Sequence, residues 1–138
     1  MLAECRKALW LIYKFTRKDP FSRNYTLINQ IRSSAGSVMD NLAEGFDRAG
    51  NKEFIQFLAM SKGLVAESQS QLYRAKDQNY IDSEEFQQAY ELVKQTSKEI
   101  TRLILYLKNS DKKRFKFSRT FFSTHDSRFT IHVLSTSC

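Results

Sequence analysis

Lys52–Gln78 reads KEFIQFLAMSKGLVAESQSQLYRAKDQ. Phe54, Phe57, Leu58, Ser61, Leu64, Val65, Ser68, Leu72 and Ala75 recur three and four apart, the spacing that puts side chains on one face of an α-helix. At a rise of 1.5 Å per residue, such a helix is about 40 Å long. Its apolar stripe requires cover along its whole length, and other helices of similar length supply that best. The segment also holds small residues, Ala59, Ser61, Gly63, Ala66 and Ser68, which are expected to let a neighbouring helix approach closely.

The flanking sequence provides three such partners. Leu2 to Arg17 carries Cys5, Ala8, Leu9, Ile12 and Phe15 on one stripe. Asp19-Pro20 ends it, because a residue before proline is pushed out of the α region and proline lacks the N–H that would continue the ladder. A second helix is expected from Ser22 or Asn24, both good N-caps, with Leu27, Ile31, Ala35, Val38 and Leu42 inside and Ile28 and Met39 widening the face. It is expected to end around Gly45, with Gly45 to Asn51 as the turn. After a short turn at Asn79 to Asp82, Asp82 and Glu85 form a capping-box pattern. A fourth helix then runs to about Lys108 on Phe86, Ala89, Tyr90, Val93, Ser97, Ile100, Leu103, Ile104 and Leu107, with Lys94, Lys98 and Arg102 outside. Four amphipathic helices joined by short turns pack as an all-α, antiparallel, up-down-up-down four-helix bundle over residues 1–110.

Composition agrees. The chain has 138 residues, one proline and four glycines, which favours long helices over strands. It is long enough to bury a core without metal or disulfide. Cys5 and Cys138 lie far apart with no CxxC spacing, which fits reduced thiols in a cytosol. The longest apolar run, Ala8 to Tyr13, is far short of the ~20 residues a membrane span needs. Arg6 and Lys7 break any early signal-peptide core. A cytoplasmic protein with no membrane partner is expected.

Residues 111–138 read differently. Lys112, Lys113, Arg114, Lys116 and Arg119 interleave with Phe115 and Phe117, and Ser and Thr crowd residues 118–138. The strand-like Phe129–Val133 has no partner strand, so a largely disordered basic tail is expected. Charge is uneven: residues 1–110 hold 16 Lys+Arg against 13 Asp+Glu, and 111–138 hold 6 against 2. Cations with aromatics suit single-stranded RNA. A basic extension without function fits the tail equally well.

The centre of the chain carries a recognisable signature. Gln30-Ile31-Arg32-Ser33-Ser34, Ser37, Asn41-Leu42-Ala43-Glu44-Gly45 and Arg48 make one part. Glu53-Phe54, Phe57-Leu58, Gly63 and Glu67 make another, flanked by Ile12–Thr16 and Asn79-Tyr80-Ile81. Over about residues 1–108 the chain resembles the four-helix-bundle proteins encoded in intervening sequences of bacterial 23S ribosomal RNA genes. The resemblance implies a four-helix protomer in a ring-shaped homopentamer. A related bundle, the accessory protein of diversity-generating retroelements, is also pentameric and associates with nucleic acid. Two departures are visible. Family members usually begin several residues earlier with a Trp-containing segment, and the tail after Ser110 has no counterpart among them.

Several clusters invite chemistry. Asp40, Glu44 and Asp47 line one side of the second helix, and Glu53 and Glu67 lie on the third. A di-iron bundle needs Glu-x-x-His pairs, and both histidines, His125 and His132, lie in the tail. Solvated acids are the better reading, so no metal or other cofactor is expected. Asn41, Glu44, Gly45, Arg48 and Glu67 could form a nuclease-like or ligand-binding cluster. The favoured alternative is structural, with Asn41 and Glu44 tying down the helix end and Arg48 bridging to Glu44 or Glu67. Ser33, Ser34 and Ser37 have no base at an activating spacing, and neither a G-x-S-x-G elbow nor a glycine-rich phosphate loop occurs. The expected protein is not an enzyme.

Arg6, Lys7, Lys14, Arg17 and Lys18 make the first helix strongly basic, with Lys7, Lys14 and Lys18 on one side and Arg6 and Arg17 projecting elsewhere. Arg23 and Arg32 add to it. Such a surface holds phosphates without reading sequence, and a solvated charged face is the bland alternative. The expectation is an oligomer that binds RNA or a ribonucleoprotein through Arg6, Lys7, Lys14, Arg17, Lys18 and Arg32, with Lys112, Lys113 and Arg114 from the tail. A protein–protein adaptor with no direct nucleic-acid contact is the runner-up.

Overall fold

The computed structural model describes residues 1–48 and 50–110. The sequence-based expectations for the tail, including Lys112, Lys113 and Arg114, fall outside the described residues. Four helices follow one another: α1 (Leu2–Thr16), α2 (Tyr25–Asp47), α3 (Asn51–Asp77) and α4 (Ser83–Lys108). Packing runs α1 on α2, α2 on α3, α3 on α4 and α4 back on α1, which closes the up-down-up-down bundle. A 3₁₀ turn, Phe21–Arg23, joins α1 to α2.

The termini follow local chemistry. Asn24 caps α2 by accepting from the Leu27 N–H at 3.0 Å. At α4 the capping box closes both ways: Glu85 N–H donates to Asp82 Oδ1 at 2.7 Å, and Asp82 N–H donates to Glu85 Oε1 at 3.1 Å. Ser22 therefore belongs to the 3₁₀ turn, and its hydroxyl donates to Asp19. Phe21 is buried there and stacks on Tyr80 with ring centroids 4.9 Å apart, sealing that end of the bundle.

One boundary departs from expectation. Gly45 does not end α2, which continues to Asp47 with Arg48 as its C-cap. Gly45 is a packing glycine. A Cβ there would lie 2.9 Å from Phe57 Cβ and 3.1 Å from Phe54 Cδ1, so its missing side chain is what lets the start of α3 close on the end of α2.

The core contains the expected apolar stripes, from Ile12 through Ile31, Leu42, Phe54, Leu58 and Leu72 to Ile100. The expectation about small residues is half corrected. Ser61 and Ser68 are buried on the seam, but Ala59, Gly63 and Ala66 face solvent. Four buried polar groups had not been expected inside: Thr16, Ser34, Gln71 and Thr96. Ser34 joins α2 to α3 through Ser68 (3.1 Å) and through Gln71 Oε1, to which it donates at 2.5 Å. Thr16 and Thr96 donate back to carbonyls four residues earlier, Ile12 at 2.8 Å and Leu92 at 2.9 Å. No helix among the described residues is long and apolar enough to cross a membrane.

Candidate nucleic-acid interface

Most of the signature residues on α2 make contacts within the bundle. Asn41 Nδ2 donates to the Ser37 carbonyl one turn back at 2.8 Å, inside the helix rather than at its end as expected. Of the two partners open to Arg48, the structure selects Glu44, at 2.6 Å. The Arg48 guanidinium also lies over the Phe57 ring, 5.5 Å from its centroid. The Glu44 hydrogen bond, followed by its charge, raises the Arg48 pKa further, so this cation is permanently charged and locally neutralised. Glu67 is exposed on α3. Gly45, Arg48 and Glu44 thus meet at the α2–α3 corner, and Asn41 is bonded within α2. Asp40, Glu44 and Asp47 are exposed on α2. Ser34 is sealed in the core with Ser68 and Gln71.

The buried thiol is equally quiet. Burial, as the main cause, pushes Cys5 up to about 12, so it stays a protonated core residue.

The basic face of α1 is different. Its inner side is apolar and buried at Cys5, Ala8, Ile12 and Phe15. By helical periodicity Arg6, Lys7, Trp10, Tyr13 and Lys14 share the opposite side, and Arg17 follows at the C-cap. All six are exposed. Arg6 and Arg17 form one row and Lys7 and Lys14 another, and Trp10 stands between the two. Among the described residues Lys7, Lys14 and Arg17 make no ion pair. Lys18 differs: its Nζ lies 3.1 Å from Glu85 Oε2 and links α1 to α4.

Arg32 sits at the border of this face and is half-buried. Its Nε and Nη2 donate to Thr16 Oγ1 at 3.0 and 2.7 Å, and its guanidinium lies 4.4 Å over the Tyr13 ring. It bolts α2 to the C-terminal turn of α1, where a cation also complements the helix dipole.

Charge is polarised as a result. Arg6, Lys7, Lys14, Arg17 and Lys18 put five cations on one side, whereas the rest of residues 1–110 holds 11 Lys+Arg against 13 Asp+Glu. The modest net charge of the bundle hides a basic face on an otherwise slightly acidic body.

Trp10 and Tyr13 were not among the residues expected on this face, where the cations are conspicuous in the sequence. Trp10 is 64% exposed, and Lys14 Nζ lies 5.4 Å from its ring centroid. The sequence does carry a signal for it: Trp10 falls off the apolar stripe of α1, where a core tryptophan would not be. A family model described as 23S rRNA-intervening sequence protein matches residues 2–102. No curated protein matches the chain.

Proposed function

The chain belongs to the 23S rRNA-intervening sequence protein family, and from that premise we propose that it is a non-enzymatic, cytoplasmic bundle that binds RNA or a ribonucleoprotein through the basic face of α1. The observation that carries this reading is the polarisation of charge. Exposed cations stand in two rows on one helix, and Lys7, Lys14 and Arg17 among them make no ion pair within the described residues, on a body that is otherwise slightly acidic. Such a face attracts polyanions. It reads phosphate and not sequence.

Two further parts of the proposal rest on the family. The protein assembles as a homo-oligomer, a pentamer by resemblance, which would repeat the basic face around a ring. The tail cations Lys112, Lys113 and Arg114 add contacts to the same RNA.

Affinity for a structured ribosomal RNA fragment, measured at several salt concentrations with the full chain and with a chain ending at Ser110, tests the proposal. Submicromolar binding by both chains, with log affinity falling steeply against log salt, is expected. Binding lost with the tail would reduce the bundle to a scaffold. Absence of binding by either chain near physiological salt would leave a protein–protein adaptor, for which exposed Met60, Tyr73 and Leu105 offer apolar contacts.

A further inference from the structure

The two cation rows of α1 leave one large feature unexplained. An indole on a solvated helix face costs solubility, and this one is not covered by the bundle. Trp10 lies at the middle of the face, with Arg6 four residues before it, Lys7 three before, Lys14 four after and Arg17 seven after. Those offsets surround it with cations on one helix surface. Tyr13 is the next aromatic, half-exposed, with Arg32 stacked over it.

We propose that Trp10 is a stacking platform for an unpaired base, with the Arg6/Arg17 and Lys7/Lys14 rows holding the phosphates on either side, so that α1 selects single-stranded RNA over duplex. The inference rests on the RNA reading above and narrows its substrate class. Chemical complementarity favours this occupant. A polyanion is drawn to the cations, but cations alone do not call for an indole in their midst. A single-stranded nucleic acid presents phosphates and bare aromatic faces together, and base–aromatic stacking on a positive groove is the common way such strands are held. In a duplex the bases are already stacked on one another, and a convex helix face cannot reach them. A second copy of this chain as occupant would have to bring acidic groups against at least three uncompensated cations. An apolar protein surface would have to bury those cations unpaired.

Trp10 is the only tryptophan in the chain, so its emission reports on this site alone. The test uses the full chain and three ligands: a single-stranded oligouridylate, a single-stranded oligoadenylate and a duplex of the same length. Emission and affinity are followed together, with Trp10→Ala and Trp10→Phe as variants. Both variants are expected to fold, because the ring is solvated.

Expected is quenching by the single strands and little by the duplex. Trp10→Ala should lose roughly 5- to 100-fold in single-strand affinity, Trp10→Phe should keep most of it, and duplex affinity should not change. The salt dependence should survive Trp10→Ala, since the cations remain. Salt-dependent binding with unmoved emission and an unaffected Trp10→Ala variant would overturn the stacking platform and leave the RNA reading standing. Emission already blue-shifted without RNA, and lost on dilution, would mean that a second copy covers Trp10 and would overturn the platform too. No binding to any of the three ligands by the wild-type chain would overturn the RNA reading itself, and the platform with it.

Discussion

Glycine positions show how much a single residue decides. Gly45 and Gly63 both lie inside helices, and both carry the usual glycine penalty there. At Gly63 the space beyond the backbone is open, so Gly63→Ala is expected to stabilise the bundle by about 0.5–1 kcal/mol. At Gly45 the same methyl group meets Phe57 Cβ and the Phe54 ring, so Gly45→Ala is expected to destabilise by roughly 1–3 kcal/mol despite its better propensity. Chemical denaturation of the two variants against wild type measures both signs, and a stabilising Gly45→Ala would refute the close approach. The sequence marks both glycines equally. Only the packing of α2 on α3 separates them, and for that reason Gly45 reads as a helix terminator before the fold is known. Cys5 gives a second expectation at this scale. Its thiol is buried and held protonated, with a pKa of about 12. Under native conditions at pH 8 the peptide containing Cys5 should remain unalkylated, and it should react only once the chain is unfolded. Asp19 gives a third. The Ser22 hydrogen bond first, then Arg23, lower its pKa below the ordinary 3.8. Its contribution is therefore present above that value and is lost as pH falls through the lower folded one. Asp19→Asn should flatten the acid limb of the stability profile, and an unchanged limb would contradict this.

At the level of the element, the four helices were legible because their apolar residues keep one period over 15 to 27 residues and their starts carry cap chemistry at Asn24 and Asp82. What periodicity does not show is polar groups inside the stripe. Ser34 and Gln71 look like surface residues in the sequence, yet they meet across the α2–α3 seam. Ser34→Ala leaves Gln71 Oε1 buried without this donor and is expected to cost about 1–3 kcal/mol. Adding Gln71→Leu removes the stranded acceptor and should recover much of the loss. Equal, additive losses in the two single variants and the pair would mean that the contact does not couple the helices. The same limit applies on α1. Cations are visible in any sequence, but which of them stay uncompensated depends on neighbours. Lys18 is tied to Glu85 on α4 and Arg32 to Thr16 on α1, while Lys7, Lys14 and Arg17 make no ion pair among the described residues. Trp10 was missed because a lone tryptophan in an apolar segment suggests core, and only its phase relative to Cys5, Ala8 and Ile12 places it outside.

For the whole molecule, the family and the bundle were within reach of the sequence, because the signature around Asn41–Arg48 is the geometry of one helix corner: a glycine for close approach and an arginine folded over Phe57. Function is less legible, since it lies in the distribution of charge over a surface that the fold must first define. Assembly belongs to this scale as well. Light scattering on the full chain should give about five times the protomer mass of 16.2 kDa, and a monomer at micromolar concentration would remove the ring from the proposal. The central claim is that the α1 face carries the RNA contact. Its most direct test is the full chain bearing Lys7→Gln, Lys14→Gln and Arg17→Gln, titrated with single-stranded RNA at several salt concentrations beside wild type. Three lost phosphate contacts should lower the slope of log affinity against log salt by roughly 2 and weaken binding at every salt concentration below about 1 M, with the fold unchanged by circular dichroism. An unchanged slope and affinity would contradict the claim and move the RNA contact off this face.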